Sequence, residues 1–311
     1  MTPPLVVTVG SVNIDLISHA RRLPLRGETL PGEGFSILPG GKGANQALRV
    51  AMSGGRSAFV GKRGADVFGP LVLDYLAAGQ VDTRHFDVAD TYTGMSQVVM
   101  EADGNYASVI NPGANGCVGP EDVDRALPLL RGADAILLQL EIPLATLEHT
   151  LGRARELQVP VYLNAAPAQK LPASFEGAIE VLIVNEVEAE MIGGIDLGAD
   201  FRRVGECAAR LRRYARNIVI SLGAGGVFAL SEGGRNQRLH GHPVVCRSAV
   251  GAGDAFIGEL IVRQLGGTPF FEALKYANAA AAIVIGSTDG LRHAVDPQEL
   301  EALVSASAGP A

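Results

Sequence analysis

The chain has 311 residues, of which 47% are hydrophobic and 19% are charged, and its formal net charge is -7. This apolar content is sufficient for a large buried core, and the negative charge argues against nucleic-acid binding through a basic face. The three cysteines, Cys117, Cys207 and Cys246, form no CxxC pair. They argue against a disulfide framework or a thiolate zinc site and fit a reducing cytoplasm.

Short apolar runs separated by helical patterns dominate the chain. The runs that predict strands are 5–9, 135–139, 159–163, 181–184 and 217–221. Helical patterns lie between them, for example at 143–157 and 201–214. Continuous apolar runs of this length are typical of parallel strands covered on both faces. The alternation predicts an α/β fold with an open, doubly wound sheet, whose ligands bind beyond the carboxyl ends of the strands.

Two segments, 28–38 and 95–110, alternate instead as antiparallel strands do, and the second contains the hairpin signal Ala-Asp-Gly-Asn at 102–105. They predict either a small sheet that projects from the main domain or hairpins at the edge of the main sheet.

The first ten residues predict a strand rather than a signal peptide. The apolar stretch at 277–286 is too short to cross a bilayer, so the sequence predicts a soluble protein that binds no membrane.

Two glycine-rich turns precede predicted helices. At 39–46 the run Pro-Gly-Gly-Lys-Gly-Ala-Asn-Gln presents backbone amides at the positive end of a helix, with Lys42, Asn45 and Gln46 as further donors. It is not a Walker A motif, because glycine follows the lysine. At 251–254 the run Gly-Ala-Gly-Asp offers amides to a transferring phosphoryl group, and Asp254 can accept a proton from an attacking hydroxyl. Simple helix starts, with Asp254 as an N-cap, are the alternatives.

Three other motifs carry polar groups suited to binding. Asn13 and Asp15 lie two apart after the first strand and would face the same way towards hydroxyl groups, unless they form an Asx turn. Asn185 and Glu188 lie one helical turn apart; they suit Mg²⁺ binding through water and also a capping box, and the two are compatible. The glycines at 221–226 would let a nucleotide lie against the backbone, or form a plain hairpin.

The order and spacing of these motifs resemble the ribokinase-like (PfkB-type) family of carbohydrate kinases along nearly the whole chain. The most specific signal is GGKGANQA at 40–47 followed by GAGD at 251–254. The other matching runs are GSVNID at 10–15, LQLE at 138–141, NAAPA at 164–168, NEVEAE at 185–190 and ISLG at 220–223. The resemblance implies a single domain over 1–311, with the α/β architecture of a three-layer α/β/α sandwich around a mostly parallel sheet. It also implies a β lid formed by about 28–38 and 92–112.

The resemblance also implies a role for each matching residue. Asp254 would be the base that takes the proton of the sugar's primary hydroxyl, and the anion hole would comprise Gly251, Ala252 and Gly253. The sugar would be held by Asn13, Asp15, Gly41, Lys42, Asn45 and Glu141. ATP would be bound by Asn185, Glu188, Ser221, Gly223, Gly226 and Asn278. Asn185 and Glu188 would hold Mg²⁺ through water, and the lid would join two subunits in a homodimer.

The chain departs from the family pattern at a monovalent-cation site. Ser248 and Ala249 stand where the family usually has Asp-Thr, and Ala294 stands where serine is common in a later loop of that site. A neutral serine hydroxyl binds a cation less well than a carboxylate does. We therefore expect activation by K⁺ to be weak or absent.

The resemblance favours D-ribose as the substrate and D-ribose 5-phosphate as the product. Deoxyribose, fructose, pseudouridine, adenosine or a keto-deoxy sugar acid are the alternatives within the family. A non-catalytic sugar-binding protein is disfavoured because Asp254 and its glycines are intact. A nicotinamide dehydrogenase is disfavoured because the first strand is followed by Gly-Ser-Val-Asn instead of GxGxxG.

Overall fold

The computed structural model describes residues 2–101, 106–198, 201–247, 250–288 and 290–307, without the side chains of 201, 291 and 307. The predicted turn at 102–105 and the departing pair at 248–249 lie outside the described residues. The strands are β1 (Leu5–Val9), β2 (Asn13–Ala20), β3 (Gly34–Gly40), β4 (Arg56–Gly64), β5 (Asp82–Ala89), β6 (Met95–Glu101), β7 (Tyr106–Asn111), β8 (Ala135–Gln139), β9 (Val161–Asn164), β10 (Ile179–Asn185), β11 (Ala215–Ser221), β12 (Val227–Leu230) and β13 (Asn236–Leu239).

The described helices alternate with these strands along most of the chain. They are α1 (Lys42–Met52), α2 (Gly69–Ala78), α3 (Pro120–Arg125), α4 (Leu127–Arg131), α5 (Leu144–Leu157), α6 (Glu186–Gly193), α7 (Phe201–Leu211), α8 (Ala252–Leu265), α9 (Phe270–Gly286) and α10 (Pro297–Ser307). Within the described ranges, no helix is long and apolar enough to cross a membrane.

The main sheet has nine strands in the order β13-β12-β11-β10-β9-β8-β1-β4-β5. All neighbouring strands from β11 to β5 pair in parallel, whereas β12 and β13 add antiparallel strands at one edge. The predicted strands are therefore confirmed. β9 begins two residues later than predicted because Pro160 has no N–H and the Val159 N–H bonds to the Ala154 carbonyl oxygen at the end of α5.

Alternate residues of the central strands pack into two separate cores, one on each face of the sheet. In β8, Ile136 and Leu138 belong to the core that includes α5 and α7, whereas Ala135 and Leu137 belong to the core formed with α8 and α9. This alternation follows from the two-residue period of a strand. The result is the predicted three-layer α/β/α sandwich.

A second sheet of four strands, in the order β3-β2-β6-β7, is separate from the main sheet. Of the two predictions for the alternating segments, the separate small sheet is therefore confirmed and the hairpins at the edge of the main sheet are wrong. Residues 28–33 of the first segment form no strand. β2 lies in the middle of this sheet, paired antiparallel to β3 and parallel to β6. The sequence analysis did not place β2 there, because only three residues separate it from β1. We call this four-stranded sheet the lid.

Candidate active site

The N-terminus of α1 lies directly against the chain that follows β1. The Ala44 N–H bonds to the Ser11 carbonyl oxygen at 2.9 Å. A Cβ atom added at Gly43 would lie 2.6 Å from the Ser11 nitrogen, so only glycine permits this approach. The Glu141 carboxylate, at the carboxyl end of β8, accepts a hydrogen bond from the Lys42 N–H at 3.1 Å and another from the Ser11 hydroxyl. Glu141 therefore places a negative charge at the positive end of α1.

Asn13, the first residue of β2, is fixed by a partner that the sequence analysis missed. The buried Asn115 amide donates to Asn13 Oδ1 at 2.8 Å and to the Val12 carbonyl at 2.9 Å, while its oxygen accepts from the Val12 N–H. Asn13 and Glu141 line one cavity of about 390 Å³, bordered by Ile110 of the lid. Because Asn115 lies in the short 3₁₀ turn at Gly113–Cys117, far along the chain and outside every motif, no local signal indicated it.

Asp15 lies in β2 beside the glycine pair that precedes α1. A Cβ atom at Gly40 would come within 2.4 Å of Asp15 Oδ2. Burial, with a smaller contribution from the nearby Glu141 charge, raises the pKa of Asp15 from 3.8 to about 6. Asp15 and Glu141 thus place two carboxylates at one site, and Asp15 changes its charge close to neutral pH.

Asp254 occupies the third position of α8 and does not cap that helix. The N-cap is Gly251, whose φ of 83° favours glycine. The Ala255 N–H makes the first helical bond, to the Gly251 carbonyl, so the N–H groups of Ala252 and Gly253 precede the helical ladder. Asp254 Oδ1 instead accepts a hydrogen bond from Gln46 Nε2 at 3.0 Å. The N-cap alternative is therefore wrong.

A chain of buried amides orients Gln46 towards Asp254. Gln46 Oε1 accepts a hydrogen bond from Gln139 Nε2 at 2.7 Å, and Gln46 Nε2 also donates to Asn164 Oδ1 at 3.0 Å. Because its oxygen is already engaged, the amide nitrogen of Gln46 faces the carboxylate. These residues lie in runs that match the family, but only the fold shows that they meet.

Several charges act on Asp254. Burial raises the pKa of its carboxyl group, and the negative charge of Glu141 acts in the same direction. The positive charge of Lys42, the Gln46 hydrogen bond and the positive charge of Arg49 oppose this rise. The net effect is a raised pKa, which makes Asp254 a better proton acceptor than an exposed carboxylate.

The residues predicted to bind ATP lie at or after the carboxyl ends of β10 and β11, except Asn278, which lies in α9. Asn185 and Glu188 form the predicted capping box at the start of α6, with reciprocal hydrogen bonds of 2.8 and 2.9 Å. Burial raises the pKa of Glu188, and the hydrogen bond from the Asn185 N–H and the positive charge of Lys42 partly oppose that rise. The charge of Lys42 also acts on Asp254, so it influences both parts of the site.

The glycine turn after β11 connects two antiparallel strands, as predicted. Ser221 ends β11, and Gly223 is exposed with a positive φ of 51°. A Cβ atom at Gly226 would lie 2.1 Å from the Leu239 carbonyl, so the turn packs against the chain after β13. Asn278 of α9 donates to the His240 carbonyl at 2.8 Å and so holds the same segment. The turn and Asn278 therefore both contact the chain at residues 239–241.

The residues predicted to hold Mg²⁺ provide few free ligand atoms. Among the described residues, no group of three or more His, Cys, Asp or Glu side chains forms a metal cluster. Asn185 Oδ1 and Glu188 Oε2 are already engaged in the capping box. These side chains therefore suit contact with a metal through water better than direct ligation.

The fold and the site together define a carbohydrate kinase. The Asp254 carboxylate is held by Gln46 in the first turn of α8, and Glu141, whose charge acts on it, lines a cavity with Asn13 that Ile110 of the lid borders. A profile of the pfkB family carbohydrate kinases matches residues 3–294, and the chain belongs to this family.

Individual relatives agree with this assignment. The chain is 32% identical over 281 residues to a ribokinase of Haemophilus influenzae, with 90% of this chain and 92% of the relative covered. It is 31% identical over 258 residues to a deoxyribokinase of Salmonella typhi, with 81% and 83% covered. The structure of Arabidopsis thaliana ribokinase complexed with ribose and ATP matches with a TM-score of 0.89 at 29% identity, covering 98% of this chain and 99% of that one.

Proposed function

We propose that this protein transfers the γ-phosphoryl group of ATP to the primary hydroxyl of D-ribose and forms D-ribose 5-phosphate and ADP. One observation carries the proposal: Gln46 holds Asp254 at the N-terminus of α8, in charge contact with Glu141, which lines the cavity with Asn13. The likeness to a ribokinase that binds ribose and ATP supports the choice of both substrates. The three free cysteines fit a reducing compartment, and we also propose that the enzyme is cytoplasmic.

In the proposed reaction Asp254 removes the proton of the primary hydroxyl. The hydroxyl oxygen then forms a bond to the γ-phosphorus, the bond to the ADP oxygen breaks, and ADP leaves with that electron pair. The backbone amides of the Gly251–Gly253 turn stabilise the charge on the transferring group, where a helix N-terminus adds its positive dipole. Lys42, whose charge reaches both Asp254 and Glu188, neutralises charge between acceptor and donor.

The remaining site residues divide between the two substrates. The sugar hydroxyls are held by Asn13, Asp15, Gly41, Lys42, Asn45 and Glu141. ATP lies across the second cluster and is bound by Asn185, Glu188, Ser221, Gly223, Gly226 and Asn278. Mg²⁺ bound with the nucleotide supplies charge neutralisation, and Asn185 and Glu188 would hold its water ligands.

The first test measures ADP release from ATP and Mg²⁺ with D-ribose, 2-deoxyribose, fructose, adenosine and pseudouridine. We expect the highest kcat/KM with D-ribose. A higher kcat/KM for 2-deoxyribose would indicate a deoxyribokinase, the activity for which the Salmonella typhi relative is named. Absence of turnover with every compound would contradict the proposed kinase activity.

The affinity for D-ribose is expected to rise with pH across the titration of Asp15. Below a pH of about 6 the carboxyl is protonated and loses acceptor capacity; above it the carboxylate accepts hydroxyl hydrogen bonds, so the Kd for ribose falls and then levels. Calorimetric titration of the protein with ribose at several values between about pH 5 and pH 8 measures this change in Kd. Asp15→Asn should bind more weakly with no such step. If the Kd of Asp15→Asn changes with pH by the same amount, the titrating group is not Asp15.

We further propose that the chain acts as one domain over residues 1–311 and dimerises through the lid. On the face of the lid opposite Asp15, the exposed apolar side chains are Phe35 and Ile37 of β3 and Val109 of β7. A surface of this kind is typical of a subunit interface. A second copy of the chain would cover it.

Val109→Asp is expected to convert a dimer into a monomer, because it would place a carboxylate in this apolar face. Sedimentation velocity measures the change. Val88→Asp on the edge strand β5 is the matched control, since Val88 is also an exposed valine, at 52%, but lies outside the lid. A wild-type protein that sediments as a monomer at all concentrations would contradict the proposed dimer.

A further inference from the structure

Arg49 is a buried cation without a carboxylate partner among the described residues. It lies in α1 and is only 2% exposed. Its Nη1 donates to the His293 carbonyl at 2.8 Å and its Nη2 to the Gly290 carbonyl at 3.1 Å. Within the described part of the chain its Nε has no hydrogen-bond partner, and it forms no ion pair. Burying an arginine without a carboxylate is costly, so its position calls for a functional explanation.

Arg49 packs against the helix that carries Asp254. A Cβ atom at Gly258 of α8 would lie 2.7 Å from the Arg49 carbonyl carbon, so the two helices are in backbone contact there. Asp254 lies one turn before Gly258, and Gln46, its hydrogen-bond partner, lies nearly one turn before Arg49. The same helix pair therefore holds both the Asp254 contact and the buried guanidinium.

Arg49 is charged at neutral pH and acts on Asp254. Burial lowers the pKa of Arg49 to about 10, and the negative charge of Asp254 opposes this. In return, Arg49 lowers the pKa of Asp254. The other groups that face Asp254 are Lys42 and Gln46 of α1, Glu141 after β8 and Tyr75 of α2.

The loop that Arg49 binds is the later loop of the monovalent-cation site that the family resemblance implies. Its carbonyl oxygens at Gly290 and His293 already accept hydrogen bonds from the guanidinium. Ala294 is exposed and has no side-chain oxygen with which to bind a cation. The residues described in this loop therefore do not fit a bound K⁺ ion.

We propose that the Arg49 guanidinium takes the place of the activating monovalent cation: it joins the 290–293 loop to α1 and supplies a fixed positive charge beside the start of α8. Arg49 is thus a positioning residue for Asp254 and the anion hole, and phosphoryl transfer needs no K⁺. This inference rests on the proposed kinase function. It assigns to a side chain of this protein the role that the family gives to an ion.

The test compares rates in potassium chloride and in tetramethylammonium chloride at equal ionic strength. The wild-type enzyme should give the same kcat in both salts, whereas Arg49→Met should lose at least about tenfold in kcat. The acid limb of its kcat/KM profile against pH should also move to higher pH, because the positive charge that lowers the pKa of Asp254 is gone. A merely structural loss would lower the rate without moving this limb.

Arg263→Met is the matched control. Arg263 lines the same cavity of about 190 Å³ as Arg49, but its guanidinium pairs with Glu259 at 2.7 Å. The control should have the wild-type kcat, and the acid limb of its kcat/KM profile should stay at the wild-type pH. Guanidinium ion, which this cavity can admit, should restore part of the rate of Arg49→Ala and raise its thermal midpoint.

Three outcomes would overturn the inference: a clear rise of the wild-type rate in K⁺, an unchanged acid limb in Arg49→Met, or no response of Arg49→Ala to guanidinium ion. Activity on ribose that requires K⁺ would leave the proposed function standing and remove only this inference. If no sugar is phosphorylated in either salt, the proposed function fails. The thermal midpoint then decides the inference, because K⁺ should leave the wild-type midpoint unchanged while guanidinium ion raises that of Arg49→Ala.

Discussion

Asp254→Asn should lower kcat for ribose phosphorylation by about 10²- to 10⁴-fold, the contribution typical of a general base. An asparagine amide has nearly the same shape as the carboxylate, and its oxygen can still accept the hydrogen bond from Gln46. It cannot take the proton of the hydroxyl group. Coupled measurement of ADP release gives kcat, and calorimetric titration of the same variant gives the affinity for ribose.

Comparing the change in kcat with the change in the Kd for ribose shows whether Asp254 acts as the base or holds the sugar. We expect the Kd for ribose to change little in Asp254→Asn, because the sugar contacts proposed for Asn13 and Glu141 remain. A variant that retains most of its kcat would exclude Asp254 as the base. A variant that loses ribose binding together with kcat would indicate that Asp254 holds the sugar instead of activating it.

Gly43→Ala should both destabilise the protein and remove most of its activity. The added methyl group would lie 2.6 Å from the Ser11 nitrogen, which is backbone and cannot rotate away. We expect a loss of about 1–3 kcal/mol in the free energy of unfolding, as for overpacking elsewhere. Because α1 carries Lys42 and Gln46, a shift of about 1 Å in this helix should lower kcat/KM by about 100-fold.

Gly152→Ala is the matched control for this substitution. Gly152 lies in α5, is exposed, and has nothing within 4 Å of an added Cβ atom. The control should therefore raise the free energy of unfolding by about 0.5–1 kcal/mol and leave kcat/KM unchanged. Denaturant unfolding measures both variants. Equal stability changes in the two would contradict the close approach of α1 to the chain after β1.

Asp254 and Arg49 together show how the charge around the reacting group is built from distant parts of the chain. Lys42 and Arg49 come from one helix, Glu141 follows β8, and Asp254 lies in the first turn of α8. The pKa of Asp254 reflects all of them. The sequence analysis identified Asp254 and Lys42 but gave no role to Arg49, because an arginine in an alanine-rich helix resembles an exposed one until its burial is known.

The sequence alone determined the local elements and the chemistry-bearing motifs. The apolar runs at 5–9 and 135–139 became β1 and β8, since strands covered on both faces need continuous apolar residues. The glycines at 251 and 253 predicted a tight turn into a helix, and the structure has that turn. Strands and turns of this kind depend mainly on residues close together in the chain, so they can be predicted from the sequence.

Only the tertiary structure decided which of these motifs meet. The pairing of β2 with β3 and β6, the Asn115 contacts to Asn13, and the Gln139–Gln46–Asp254 chain join residues up to 208 positions apart. No local preference encodes such pairs, because they arise when the parallel strands are ordered in the sheet and their carboxyl ends come together. The sequence therefore determined the groups available for catalysis, and the fold determined their partners and their charge.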